Sequence, residues 1–394
     1  MPKTVILGAA RTPIGKLGGG LSSLEATELA GTAIEAALER SEVEPEQVEH
    51  VVVGQVLQAG AGQIPSRQAQ IRAGIPRQVS SETINKVCAS GIRAAALLDQ
   101  AIRAGDLEVG VGAGMESMSN APYLLPKARF GYRMGDAQVL DEMVKDGLTN
   151  PFTSKQMAVE ATEVGDELEL TRPDLDRWAL RSHQLALKAI DEGRLSEEIV
   201  PITVTSKKGD TTIEVDEGPR RDTTLERLAA LPGIATKEGS HTAGNSPGVN
   251  DGAGALVLAS DEWARANGKS VLATILTHAQ VADDYAYLAR TPGNAALKAL
   301  AKIGKTPQDI DLWEINEAFA SVTLNSIRVL GIDEDRVNVN GGAVALGHPL
   351  GASGARILGS LALELRRRGG GLGCAAICSG GGQGDAVIIE VSGN

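Results

Sequence analysis

The sequence predicts an α/β protein built twice over, with a long insertion in its first half. Three observations carry this. Runs rich in β-branched residues alternate with amphipathic helical stretches, the pattern of βαβ units around a mostly parallel sheet. The alternation lapses over residues 115–248, where prolines and glycines are frequent, and then resumes. Two distant segments also share an opening. Cys88-Ala89-Ser90-Gly91-Ile92-Arg93 precedes an alanine/leucine helix, Arg103-Ala104-Gly105 and a glycine-rich strand. Gly351-Ala352-Ser353-Gly354-Ala355-Arg356 precedes a leucine-rich helix, Arg367-Arg368-Gly369 and another glycine-rich strand. The shared A-S-G-x-R at matched distances reads as duplication; two independently capped helices are the plainer alternative. Duplicated helices would face each other across a pseudo-twofold axis and bring Cys88 to the loop of His348.

In chain order, Val5 to Ala9 is a buried strand, and Ser22 or Ser23 caps a helix running to about Arg40. His50 to Leu57 is a β-branched strand, Pro65 to Ala73 a short helix, and Thr83 to Val87 a strand leading into Cys88. Ser90 to Ala104 is helical, and Leu107 to Ala113 the next strand. The insertion holds one strong helix, from Pro173 to about Glu192, with Thr171 near its cap. Beyond it come strands at Ala253–Ala259, Val271–Val281, Asp311–Ile315 and Ala386–Val391. The helices among them are Asp261–Asn267, Asn294–Ile303, Ala318–Leu330 and Ser353–Arg368.

Composition narrows the class. The chain has 394 residues, too many for one ordinary domain, and its 42% hydrophobic and 22% charged residues are those of a globular protein. A net charge of −12 argues against a general nucleic-acid or anionic-membrane surface, leaving room only for local basic pockets such as Arg220–Arg221. Three cysteines in so long a chain are not a disulfide framework. No stretch has the length of a transmembrane helix, and the first residues lack a signal-peptide pattern, so a cytoplasmic enzyme is expected.

The chemistry concentrates between Asn338 and Asp385. His348 lies between Gly347 and Pro349, and Cys378 precedes Ser379 and three glycines. Glycine permits positive φ and close approach of a ligand, so these side chains are presented to something. Cys88 stands at the start of a helix, whose positive end, with a nearby His, would lower a thiol pKa below its usual ~8.5 and make it a nucleophile. A buried, inert cysteine is the alternative. His348 is a candidate base for Cys88. Cys378, at a strand end, reads as exposed and Cys374 as packing. Asn316, where a strand meets a helix, points an amide into a cleft or caps the helix. The other four histidines read as structural; His241 borders Thr242-Ala243-Gly244-Asn245. The glycine runs match neither a P-loop nor a dinucleotide fingerprint and suit oxyanion-binding N–H groups better. No metal site is expected, since ligand spacings are lacking.

With these pieces together, the chain resembles the thiolases, in the acetyl-CoA C-acetyltransferase and 3-ketoacyl-CoA thiolase branch. The resemblance rests on A-A-R-T-P (Ala9 to Pro13), N-K-V-C-A-S-G (Asn85 to Gly91), G-M-E-S-M-S (Gly114 to Ser119), N-E-A-F (Asn316 to Phe319), N-V-N-G-G-A (Asn338 to Ala343), G-H-P-L-G-A-S-G (Gly347 to Gly354) and C-S-G-G-G-Q-G-D-A (Cys378 to Ala386). It implies a duplicated five-layer α/β/α/β/α fold with an inserted loop domain. The first half would be residues 1–119 plus 249–269, the insertion 120–248, with coenzyme A and oligomer contacts, and the second half 270–394.

The resemblance also implies roles. Cys88 would carry the acyl group, His348 would activate it, and Cys378 would move the α-proton. Asn316 would hold a water that, with His348, binds the thioester oxygen of a condensing acetyl-CoA. The backbone N–H groups of Cys88 and Gly380 would form a second oxyanion hole. Arg220, Met157, Ala243, Ser246, Phe319 and Leu288 would contact coenzyme A or the acyl group. The implied reaction joins two acetyl-CoA molecules into acetoacetyl-CoA and CoA, or cleaves 3-ketoacyl-CoA, with no cofactor beyond substrate CoA, in a homotetramer. A longer-chain degradative thiolase is the first alternative. A ketoacyl synthase normally pairs its Cys with two His, against Asn316 here, and a non-catalytic acyl-CoA-binding protein would not need Cys88, His348 and Cys378 together. Two positions depart from the pattern: Gln156 where many relatives have His, which puts acyl preference in doubt, and Pro247 where several have Ser near the pantetheine.

Overall fold

β1 (Thr4–Arg11) is an apolar run with every residue buried, so it takes the middle of a sheet covered on both faces. The computed structural model describes residues 2–207 and 209–393; Met1 and Asn394, the ends of the two expected halves, and Lys208 of the insertion lie outside it. α1 (Ala26–Ser41) begins later than Ser22 or Ser23 would have it. Glu25 is the cap, exchanging bonds with Glu28 in a capping box. β2 (His50–Gly54), α2 (Pro65–Arg72), β3 (Ser80–Ile84), α3 (Ser90–Ala104) and β4 (Val109–Ser117) follow. The segment between β4 and β5 (Asn250–Ser260) contains α4 (Met157–Glu167) and α5 (Arg172–Asp191), the latter capped by Thr171. The second half runs β6 (Ala273–Ala282), α6 (Thr291–Lys302), β7 (Leu312–Ile315), α7 (Ala320–Leu330), α8 (Ser353–Arg367), β8 (Gly371–Ser379) and β9 (Gln383–Val391).

The sheet order is β7-β8-β9-β6-β1-β5-β4-β2-β3. The expectation of a mostly parallel sheet is corrected: only β2–β3, β2–β4 and β7–β8 run parallel, and the central ladders are antiparallel. The reason is that β8 turns straight back into β9, and β5, reached only after the long segment that holds α4 and α5, lies antiparallel beside β4. From the antiparallel β1–β6 pair outward, the two halves repeat strand for strand. β3 in the first half has its counterpart in a single parallel bridge, Trp313 to Val337.

Alternation along each strand sends side chains to two layers. Ala375 and Ile377 face a central core with Ile92 and Leu98 of α3 and Ile357 and Leu361 of α8. Cys374 and Ala376 face the other way, against Ala295 and Ala299 of α6 and Leu324 of α7. Val51, Val53, Val109 and Val111 face α1 in a third core. Helices α3 and α8 thus form a middle layer between the two half-sheets. Their N-termini touch backbone to backbone, which is why the repeat needs its glycine. A methyl group on Gly354 would lie 2.2 Å from Ile92 N, and one on Gly91 2.6 Å from Ala355 N. No described helix is long and apolar enough to cross a membrane.

Candidate active site

Cys88 sits in a tight turn after β3, not at the end of a strand reaching Val87. Val87 has φ 45°, a left-handed conformation that a β-branched residue adopts only under constraint, at about 1–3 kcal/mol. Short-range bonds hold it. Asn85 Oδ1 accepts from Val87 N at 2.9 Å, and Ser90 Oγ accepts from Lys86 N at 2.8 Å while donating to Val87 O at 2.7 Å. The turn lies at the start of α3, with Ala89 as its cap residue. The thiol is 3% exposed and its pKa is pushed up to about 12, first by burial and secondarily by the charge of Glu116. Backbone N–H groups of Cys88 and Gly380 act on the sulfur in the opposite sense. The expectation of a lowered thiol pKa is therefore corrected: desolvation outweighs the two backbone N–H groups.

His348 follows the short helix Ala343–Leu346, and Asn250 Oδ1 accepts from its backbone N at 2.9 Å. Its ring is set by Ser353. Ser353 Oγ donates to Pro349 O at 2.9 Å, so it accepts from His348 Nδ1–H at 2.6 Å. That leaves Nε2 bare and able to take a proton. Burial, then the charge of Arg356, lowers the imidazole pKa to about 3, so the resting ring is neutral. Asn316 Nδ2 donates toward Nε2 at 3.5 Å, and its Oδ1 is buried without a protein partner. Ser353 and Ser90 occupy the same place in the two repeats. Each bonds the turn that carries its own half's reactive side chain.

Cys378 is the last residue but one of β8, opposite Gly384 of β9. It is not exposed as expected but wholly buried, because Phe319, Leu288 and Val322 close over the strand end. Burial raises its pKa well above the usual thiol value, and the neighbouring Cys88 raises it further. The turn after it holds the Cys88 turn directly. Ser379 Oγ donates to Lys86 O at 2.5 Å, and Gly380 packs so close to Val87 that a methyl there would stand 3.3 Å from both Val87 methyls.

Cys88 and His348 border one mainly apolar cavity of about 220 Å³, lined also by Met118, Leu148, Gln156, Met157, Ser246, Pro247, Phe319 and Leu350, among others; Cys378 and Asn316 lie outside this lining. Ser246 Oγ is buried there without a protein partner. Leu288 lies behind, packed with Phe319 and Cys378. Arg220 and Ala243 are exposed and outside this lining. The remaining histidines have structural partners: His50 with Ser80, His183 with the backbone N of Arg220, His278 with Asp99, and His241 with Ser321 behind Phe319. Among the described residues no cluster of three His, Cys, Asp or Glu could hold a metal.

Sequence reasoning missed the supports. Glu116 is fully buried and accepts from Val56 N, Leu57 N and Gly351 N at 2.9–3.1 Å, joining the end of β2 to the His348 loop. Burial raises its pKa to about 7 against the pull of those donors. Glu317 accepts from Trp178 Nε1, Ser182 Oγ, Asn338 Nδ2 and Val344 N, fixing Asn316 between α5 and the His348 segment. An acid inside an otherwise apolar or glycine-rich run was the available signal for both.

Residues 4–262 match the family model "Thiolase, N-terminal domain", and residues 269–391 match "Thiolase, C-terminal domain". A probable acetyl-CoA acetyltransferase of Mycolicibacterium smegmatis is 47% identical over 98% of this chain and 100% of that protein. An acetyl-CoA acetyltransferase of Cupriavidus necator is 46% identical over 99% and 100%. Among solved structures, the Bacillus anthracis acetyl-CoA acetyltransferase superposes with a TM-score of 0.97 at 40% identity, and human mitochondrial 3-ketoacyl-CoA thiolase with 0.96 at 40%. Each covers 99% of both chains.

Proposed function

The chain belongs to the thiolase family, and we propose that it condenses two acetyl-CoA molecules reversibly to acetoacetyl-CoA and CoA through an acyl thioester on Cys88. One observation carries the reading. The turns that carry Cys88 and Cys378, from opposite halves, are tied by Ser379 Oγ donating to Lys86 O at 2.5 Å, and Cys88 shares its cavity with a neutral imidazole whose Nε2 carries no proton.

That proton inventory closes a cycle. His348 Nε2 takes the Cys88 proton, and the thiolate attacks the thioester carbonyl of the first acetyl-CoA. The N–H groups of Cys88 and Gly380 are suited to hold the resulting oxyanion. CoA departs as thiolate and takes the Cys378 proton, leaving Cys378 as base and His348 protonated. Cys378 then removes an α-proton from the second acetyl-CoA. The enolate oxygen is held by His348 Nε2–H and by a water on Asn316, whose orphaned Oδ1 supports that part. The enolate attacks the Cys88 thioester, and the departing Cys88 thiolate recovers its proton from His348. Coenzyme A enters with substrate and leaves as product. Met157, Phe319 and Ser246 are proposed along its pantetheine or acyl group, Leu288 behind them, and Arg220 and Ala243 nearer its exposed end.

Acetyl-CoA is favoured over longer chains because relatives at 46–47% identity are named acetyl-CoA acetyltransferases. The longer-chain reading is supported by the likeness to human mitochondrial 3-ketoacyl-CoA thiolase. Thiolysis rates on acetoacetyl-CoA against longer 3-ketoacyl-CoAs separate them. For the mechanism, labelled acetyl-CoA should acylate the wild type and Cys378→Ala but not Cys88→Ala. Condensation by Cys378→Ala should fall by about 10²–10⁴-fold. Acylation of Cys88→Ala, or full-rate condensation by Cys378→Ala, would overturn the assignment. We also propose a homotetramer, supported by exposed Phe130 and Met134 on the arm between the strands Tyr123–Leu124 and Leu140–Asp141, and by exposed Tyr123 at its base. Light scattering should read the mass of four chains.

A further inference from the structure

The turn that carries Cys88 and the hairpin that carries Cys378 belong to different halves of the molecule, and one side chain bridges them. Lys86 lies two residues before Cys88. Its backbone carbonyl accepts from Ser379 Oγ, the residue after Cys378, at 2.5 Å. Its ammonium bonds the carboxylate of Asp385 and donates to Gln280 Oε1 at 2.7 Å. Asp385 and Gln280 stand directly opposite each other on β9 and β6. Asp385 also pairs with Ile377 on β8, one position from the pairing of Cys378 with Gly384. The Asp385 side chain is 5% exposed and that of Lys86 14%, so the pair is held largely out of water, where geometry counts. Lys86 therefore grips the Cys378 hairpin on both strands, while Val87, beside it, holds a conformation the turn would not keep unaided.

We propose that Lys86 is a positioning residue that sets the placement of Cys88 relative to Cys378 through Asp385 and Gln280. Acylation uses Cys88 and His348 and needs Cys378 only to protonate a CoA thiolate, a weak base that can leave without that proton; carbon–carbon bond formation needs Cys378 as the base, correctly placed against the acyl group. Loss of the tie thus acts on the second half-reaction. The inference rests on the thiolase reading above, which wild-type acylation and condensation test by themselves.

The experiment compares wild type with Lys86→Met/Asp385→Asn, which removes both charges, and with Asp385→Asn and Lys86→Arg. Acyl-enzyme formation from labelled acetyl-CoA and steady-state condensation are measured on each full-length protein. In the double variant, condensation kcat should fall about 10-fold or more while acylation rate and KM for acetyl-CoA stay within about threefold. Asp385→Asn should show a smaller loss in the same ratio, and Lys86→Arg should recover most of the condensation rate. Equal losses in both half-reactions, or no loss in condensation, would overturn the proposal. If the double variant does not fold, the ratio in Asp385→Asn decides by the same criterion.

Discussion

At the scale of single residues, the site depends on which proton sits on which atom. Ser353 decides this for His348. Because Ser353 Oγ–H is used by Pro349 O, the imidazole must offer Nδ1–H to it and leave Nε2 unprotonated, facing Asn316 Nδ2. Ser353→Ala should leave the fold intact and slow acyl-enzyme formation by about 10–100-fold, since general-base catalysis by a fixed imidazole contributes about 10²–10⁴-fold and only orientation is removed. Rapid-quench acylation with acetyl-CoA reads this; an unchanged rate would show that the ring is oriented by something else. Cys88, His348, Asn316 and Cys378 were all legible in sequence as reactive types beside turns. The environment of Cys88 was not, because burial comes from Met118, Leu148 and Leu350, which are distant in sequence.

At the scale of elements, the crossing of α3 and α8 is the joint on which the site turns. It places two helix starts in contact through Gly91 and Gly354, with no room for a β-carbon. Gly354→Ala would push a methyl into the backbone at Ile92. Overpacking of this kind costs about 1–3 kcal/mol, and more where the obstacle is backbone that cannot rotate away. The urea midpoint should fall with the slope unchanged, and a midpoint equal to wild type would refute the close contact. The shared A-S-G-x-R announced equivalent helices. The strand directions escaped sequence reading, because a buried strand has the same apolar run in a parallel or an antiparallel ladder.

At the scale of the whole molecule, burial of uncharged histidines links stability to pH. His241 is fully buried behind Phe319, and burial lowers its pKa to about 4. Its folded pKa lies below the unfolded value of ~6.5, so the unfolded chain takes up the proton first on acidification. Its contribution is intact above pH ~6.5 and is lost progressively down to about pH 4. The stability advantage of wild type over His241→Gln should shrink over that window by about 3 kcal/mol, near 1.4 kcal/mol per pH unit. Chemical denaturation of both proteins at several pH values measures it. A constant difference would mean that His241 is charged or solvated in the fold. His183 and His348 are lowered in the same direction and for the same first cause, so acid should destabilise the protein as a whole.

Two kinds of information divide between chain and fold. Residue types, their turn contexts and the internal repeat are local properties, and they were enough to single out the candidate groups and to give the α/β class. Proximity is not local. Cys88 meets Cys378 because the β1–β6 pair joins the half-sheets and α3 packs against α8, bringing together groups 290 positions apart. Protonation is not local either. A thiol at a helix start is acidified by the helix but made weaker by burial, and only the packed structure sets how much water is left to decide between them.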